Sequence, residues 1–238
     1  MIAGLPRGPV QTTAPPSLGW AIVLLLALDT ATPAVTVALH DGSAVVAELS
    51  VVDPRRHGEV LAVLVDQVLR KAGAVRTDLT AVAVGIGPGP YTGLRAGVVT
   101  ARVLGSALQI RTDGICSLDV IAAQAVAGAE GSGFLVATDA RRREVYWARY
   151  AGDGERVAGP HVDKPADLPT DLPVAGEGAV LYPELGHAPL APRYPAAGQL
   201  ALIAVGRISA GLPPGLAEPL YLRRPDAREP GRPKRVTP

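Results

Sequence analysis

Only one cysteine, Cys116, occurs among the 238 residues, which excludes an internal disulfide and any zinc site built from several thiolates. No histidine stands beside it in sequence to activate the thiol, so Cys116 reads as a small packing residue. Aromatic residues make up 4%, which leaves little material for base stacking on exposed rings and calls for an aliphatic core. A formal net charge of +1 gives no chain-wide attraction to nucleic acid or to an anionic membrane. The apolar run Trp20–Leu28 follows a segment containing Arg7 and looks like a signal-peptide core, but it is too short to cross a bilayer and Asp29 ends it. His40, His57, His161 and His187 show no H-x-x-x-H or H-E-x-x-H spacing, and there is no G-x-S-x-G elbow. The sequence therefore offers no catalytic residue and no metal site.

What is present points to an α/β protein. Hydrophobic residues reach 48%, enough to fill one large domain or two lobes. Apolar stretches at 23–29, 35–40 and 44–50, separated by Thr32-Pro33 and Asp41-Gly42, predict an opening antiparallel meander. A helix over His57–Lys71, a strand over 80–86, a helix over 93–108 and another over Ser117–Val126 follow, giving a mixed sheet flanked by helices. After Gly131-Ser132-Gly133 the pattern partly repeats, with a strand at Phe134–Thr138 and a partner at Glu144–Tyr150 across a turn at Arg141–Arg143. The expected organisation is a disordered leader over 1–20, a first lobe over 21–132, a smaller second lobe over 133–222 whose helix at 199–210 packs back on the first, and a tail over 223–238. In that tail six basic residues face two acidic ones, leaving the rest of the chain at −3, and its proline and charge content predict disorder.

The most specific local pattern is Gly87-Pro88-Gly89-Pro90-Tyr91-Thr92-Gly93-Leu94-Arg95, where an apolar strand runs into a glycine and proline loop and then a helix. Its glycines fit neither G-x-G-x-x-G nor G-x-x-x-x-G-K-[ST], so spacing alone does not make it a nucleotide site. Gly87 and Gly89 allow positive φ or close backbone approach, Pro88 and Pro90 stiffen the turn, and Thr92 is expected to cap the helix. Gly93, Gly97, Ala101 and Gly105 recur every four residues as a small-residue stripe, although glycine inside a helix costs about 1 kcal/mol relative to alanine. Something is therefore expected to approach that backbone closely. Leu61, Leu64, Val65 and Val68 on the preceding helix, and Leu104 on this one, give both helices more apolar surface than one sheet-facing stripe needs. The pair is expected to form an interface with another molecule, with His57, Tyr91 and Arg95 on the same surface. Arg95 is also expected to anchor the glycine loop by hydrogen bonds. Arg141, Arg142 and Arg143 form a compact basic cluster, readable as a solvated turn or as a contact for nucleic-acid phosphates.

The glycine loop, Leu26-Ala27-Leu28-Asp29-Thr30-Ala31-Thr32, His57-Gly58-Glu59, Asp139-Ala140-Arg141 with Glu144-Val145-Tyr146, and Pro219-Leu220-Tyr221-Leu222-Arg223 resemble, in their order, the bacterial TsaB (YeaZ) family. The family's first methionine would sit at Val23. The resemblance implies a fold of the sugar-kinase, Hsp70 and actin (ASKHA) type. It implies a non-catalytic partner of TsaD, which transfers threonylcarbamoyl to the adenosine beside the tRNA anticodon. It also implies a four-helix interface with TsaD, or a homodimer when TsaD is missing, and a TsaE-like ATPase in the same complex. Further implications are tRNA reached through the complex, no intrinsic cofactor, ATP or ADP only at the level of the complex, and a cytoplasmic protein with no membrane partner. Asp29 and Thr30 fall where this fold places nucleotide phosphates and metal, although Ala31 stands where a glycine is usual. The alternative is an aspartate that satisfies turn amides. Arg141, Arg142 and Arg143 become candidate tRNA contacts. TsaD carries paired histidines for a metal where this chain has Ile115-Cys116-Ser117-Leu118-Asp119-Val120, which implies an inactive paralogue. The alternatives are a small-molecule kinase or peptidase of the same superfamily, or a homodimeric binding module.

Overall fold

Strands β1 (Leu25–Asp29) and β2 (Ala34–His40) are buried at every position, so they are apolar on both faces where a half-exposed strand would alternate. In the computed structural model, which describes residues 23–169, 171–185 and 189–223, these strands form the centre of a five-stranded sheet. Its order is β3-β2-β1-β4-β5, with β3 at Val45–Val52, β4 at Ala81–Gly85 and β5 at Arg111–Ile115. The first three strands are antiparallel, and β4 and β5 run parallel to β1. Leu26 and Leu28 point to one face, where α1 (His57–Lys71) and α2 (Tyr91–Leu108) pack, while Leu25 and Ala27 point to the other, under α5 (Ala197–Ser209).

The second sheet repeats this topology with shorter parts. Strands β6 (Phe134–Asp139), β7 (Val145–Tyr150) and β8 (Arg156–Asp163) are antiparallel, and the two-residue strands β9 (Val174–Ala175) and β10 (Pro189–Leu190) continue in parallel beyond β6. Helix α3 (Ser117–Ala125) covers one face against Phe134, Val136 and Tyr150, and Leu168 and Leu185 cover the other. A five-residue helix α4 (Glu177–Leu181) follows β9. This is the predicted α/β arrangement of two lobes with mixed sheets flanked by helices.

Several local expectations are corrected. Helix α2 opens at Tyr91, two residues earlier than expected, and its N-cap is Pro90 (φ −60°, ψ 135°) with no side-chain cap, so Thr92 lies inside the first turn. The proline ring fixes φ and lacks an N–H, which allows the helix to start directly after it. Strands β5 and β8 were not expected, because Asp113 and Gly114 in the one and Gly159-Pro160 in the other read as turn residues. Asp113 is tolerated because Arg111 pairs with it and the Gly215 amide donates to it at 2.9 Å. Beyond α5 the chain returns along β5, where the Gly114 amide donates to the Gly215 carbonyl (3.0 Å), and the Leu220 amide then donates to Ile86 (2.8 Å). The leader expected over 1–20, His187, and all of the tail beyond Arg223 lie outside the described residues.

The small-residue stripe of α2 faces inward. The Thr30 hydroxyl donates to the Gly93 carbonyl (2.7 Å) and accepts from the Gly97 amide (2.9 Å), the two groups that ordinarily close one helical turn. A Cβ on Gly97 would lie 2.5 Å from Thr30 Oγ1, one on Gly93 2.9 Å from the Thr30 carbonyl, and one on Gly105 2.0 Å from Thr112 Oγ1. Ala101 is fully buried in the same core. The close approach is made by the protein's own β1–β2 turn and β5, so these four residues are corrected from partner contacts to internal packing. Gly97→Ala should therefore destabilise by about 1–3 kcal/mol in urea unfolding, despite the better helix former. Gly206→Ala on the exposed side of α5, where a Cβ meets nothing within 4 Å, should stabilise by up to about 1 kcal/mol.

Candidate functional site

The turn after β1 is a closed network. Asp29 is fully buried and accepts from the Ala31 amide (2.7 Å) and from the Ser117 hydroxyl (2.5 Å). Ser117 Oγ in turn accepts from the Gly87 amide (3.1 Å), and the Ser117 amide donates to the Gly87 carbonyl (2.8 Å). The glycine loop is thus anchored by Ser117 at the start of α3, and the expectation that Arg95 anchors it is corrected. Gly89 is required because a Cβ there would lie 2.2 Å from the Ala31 carbonyl, and Gly87 has φ +91°. Pro88 and Pro90 flank that contact. The imidazole of His57, half-buried at the start of α1, contacts the Thr32 carbonyl through Nε2 at 3.0 Å. Asp29 and Thr30 therefore spend their polar atoms inside the protein, and the turn-amide role outlined for Asp29 is the one its geometry fills.

The opposite side of α2 is open. Val99 (50% exposed) and Val103 (60%) project from it, Tyr91 (45%) stacks on Tyr221 (41%) with ring centroids 5.1 Å apart, and the Arg95 guanidinium lies 5.0 Å from the Tyr91 ring. With Arg102 and Pro219 these side chains line a groove of about 710 Å³. Of the expected interface residues, Tyr91 and Arg95 are on this face. Leu61, Leu64, Val65 and Val68 are buried in the core beneath α1, and Leu104 is half-buried against it, so these five are corrected to internal packing. Sheet-facing burial and a partner-facing seam give the same leucine and valine spacing. Val99 and Val103 belong to the surplus apolar surface expected of this helix, whereas Arg102 and Tyr221 were not expected at an interface. Both valines lie on the side of α2 away from the glycines.

A second, smaller cavity of about 180 Å³ lies between the lobes, lined by Thr30, Thr32, Arg55, His57, Thr92 and Arg141 among others. Arg141, Arg142 and Arg143 are exposed at the tip of the β6–β7 hairpin, with φ of +62°, +57° and +59°. Asp139 holds Arg141 through its amide (2.9 Å) and its guanidinium (3.3 Å). Arg223 secures the hairpin by donating to the Ala140 carbonyl (3.0 Å) and pairing with Glu144. Cys116 is buried, and burial, with Asp119 nearby, pushes its thiol up to about 12, so it carries no thiolate at neutral pH. Among the described residues no group of three histidine, cysteine, aspartate or glutamate side chains is placed to hold a metal ion, and no helix is long and apolar enough to cross a membrane.

Burial pushes the Asp29 carboxyl up to about 6, against the lowering effects of Ser117, the Ala31 amide and His57. The folded state therefore binds this proton more tightly than the unfolded chain, so the contribution of Asp29 to stability falls as pH rises from about 4 to above 6. Comparing the wild type with Asp29→Asn across this range by urea unfolding should show the wild type losing up to about 3 kcal/mol relative to the variant. A pH-independent difference would refute the assignment.

The model of the family described as "TsaD: tRNA N6-adenosine threonylcarbamoyltransferase" matches residues 51–184. The tRNA threonylcarbamoyladenosine biosynthesis protein TsaB of Escherichia coli is 33% identical over 218 residues, covering 84% of this chain and 94% of that protein. An uncharacterized protein of Mycobacterium tuberculosis is 44% identical over 211 residues, covering 87% of this chain and 95% of its own length. The crystal structure of YeaZ from Pseudomonas aeruginosa superposes with a TM-score of 0.73 at 30% identity, covering 84% of this chain and all of that one. The chain therefore belongs to the family that the TsaD model describes and, within it, to the TsaB (YeaZ) proteins.

Proposed function

We propose that this chain is a non-catalytic subunit in the synthesis of threonylcarbamoyladenosine in tRNA, and that it docks a TsaD-like catalytic subunit on the outer face of α2 with α1 beside it. The observation that carries the docking is the groove itself. Val99, Val103, Tyr91 and Tyr221 present apolar surface that the described residues leave uncovered, although α2 has already committed its small residues to the inside. Val63 of α1, 53% exposed, lines a separate cavity with Val51 of β3. The role in threonylcarbamoyladenosine synthesis is supported by the names of the TsaB relatives. The non-catalytic role is supported by the buried, protonated Cys116 and by the internal commitment of Asp29 and Thr30.

In this reading the protein works in the cytoplasm. A TsaE-like ATPase, ATP or ADP, and tRNA meet it through the assembled complex, and in the absence of the catalytic partner a second copy covers the same groove. ATP turnover or proteolysis by the purified chain would instead favour the kinase or peptidase alternative.

Val99→Glu with Val103→Glu tests the docking directly. Both side chains are at the surface, so stability should change by no more than about 0.5 kcal/mol each. Co-purification with the TsaD-like protein should be lost, and the modified adenosine measured in tRNA digests should fall with it. A folded double variant that still forms the heteromeric complex at wild-type affinity would overturn the proposed face.

A further inference from the structure

We infer that β3 is an edge through which two copies of this chain pair, antiparallel about a two-fold axis, so that their first sheets join into one. Four strands end the two sheets, and three of them are closed to pairing. The return of the chain covers β5, where the Gly114 amide donates to the Gly215 carbonyl (3.0 Å). Strand β8 carries Pro160, which has no amide proton, and its register shifts against β7. Strand β10 is two residues long. Strand β3 has eight residues, no proline and no basic side chain, and among the described residues it pairs with β2 alone. Its one irregularity lies at the Val45 end, opposite Leu39 and His40. Val51 (39% exposed) and Val52 (58%) are left at the surface, and Val51 shares a groove of about 350 Å³ with Val60 and Val63 of α1. A long, valine-rich edge without such protection is a template for another strand.

The occupant is a second copy because this edge complements itself. A two-fold axis perpendicular to the sheet keeps like faces together, which restricts the registers two copies of β3 can adopt. The register centred on Leu49 sets Ala47 opposite Val51 and Glu48 opposite Ser50 of the other copy, with no like charges facing. Centring it on Glu48 would oppose two carboxylates, and centring it on Ser50 would shorten the ladder. Past the end of the ladder, the exposed Arg55 of each copy comes towards the exposed Asp41 in the β2–β3 turn of the other. Helix α1 leaves the end of β3 and returns over β2 and β3, with Glu59 in its first turn and Arg70 and Lys71 in its last, so two antiparallel copies bring acid towards base at both ends. A strand spacing of about 4.8 Å sets the two α1 helices roughly 10 Å apart, an ordinary packing distance, with Val63 of each on the facing side. The α2 groove stays open in this arrangement, so the inference does not rest on the function proposed above.

The test uses the full chain carrying Val99→Glu and Val103→Glu, which removes any pairing through the α2 groove, in sedimentation velocity over a concentration series. A dimer is expected, with hydrogen exchange at the β3 amides slowing as its population rises. Adding Ser50→Glu sets a carboxylate against Glu48 of the other copy twice by symmetry, and should weaken dimerisation about tenfold. Ser50→Lys at the same exposed position should retain or tighten it. Urea unfolding of each variant reports whether the fold is intact, and Glu48→Gln should restore dimerisation to the Ser50→Glu chain. A monomer at every concentration, or a dimer that does not distinguish Ser50→Glu from Ser50→Lys, would overturn the inference. So would protection of β3 that is independent of concentration, because the chain itself would then cover the edge.

Discussion

A single hydroxyl fixes how the first lobe is assembled. Thr30 Oγ1 stands between the Gly93 carbonyl and the Gly97 amide, so the β1–β2 turn is bonded into the backbone ladder of α2 instead of resting on its side chains. Such a contact needs bare backbone on the helix, which is why the positions facing the turn are glycine and why a Cβ on either would collide with Thr30. The helix-propensity penalty of two glycines, about 1 kcal/mol each, is offset by satisfied buried polar groups that would be expensive to leave unpaired. The neighbouring network does the same for the loop before the helix, since Ser117 joins Asp29 to Gly87 and so binds the ends of β1 and β4 to the start of α3.

Once the glycine side of α2 is committed inward, the outward side follows from helical geometry. Positions 99 and 103 lie away from the 93, 97, 101 and 105 stripe, and both are valine. An isolated exposed valine needs no explanation, but two on successive turns, flanked by a stacked tyrosine pair and two arginines, make a continuous apolar surface with a charged border. The inward commitment therefore makes the outward surface more informative: the valines there serve no contact within the described chain that would account for them.

The parts of the fold legible in the sequence are those whose signal is local. The β1–β2–β3 meander, α1, the loop from Gly87 to Pro90 and the β6–β7 hairpin each carry their own periodicity or turn residues. Strand β5 was hidden because Asp113 is buried only with the help of Arg111 and the Gly215 amide, the latter about a hundred residues away. The direction of the small-residue stripe was hidden for a different reason. A helix packed on its own turn and a helix packed on another chain demand the same glycine spacing, and only the position of Thr30 separates them. The conjunction of Arg55 with Arg141 was equally invisible, because nothing in either segment encodes the packing of one lobe on the other.

Tyr91 connects the two surfaces. It is the first residue of α2, it lines both the apolar groove and the interlobe cavity, and its ring is held between Tyr221 and Arg95. The segment that supplies Tyr221 continues two residues on to Arg223, which bonds the Ala140 carbonyl and Glu144 of the hairpin that bears Arg141. The return of the chain beyond α5 thus runs from the edge of β5, across the mouth of the groove, to the arginine hairpin. A molecule lying along α2 would have its end at Tyr91, directly beside the cavity. The groove and the cleft are therefore adjacent parts of one surface, joined at Tyr91.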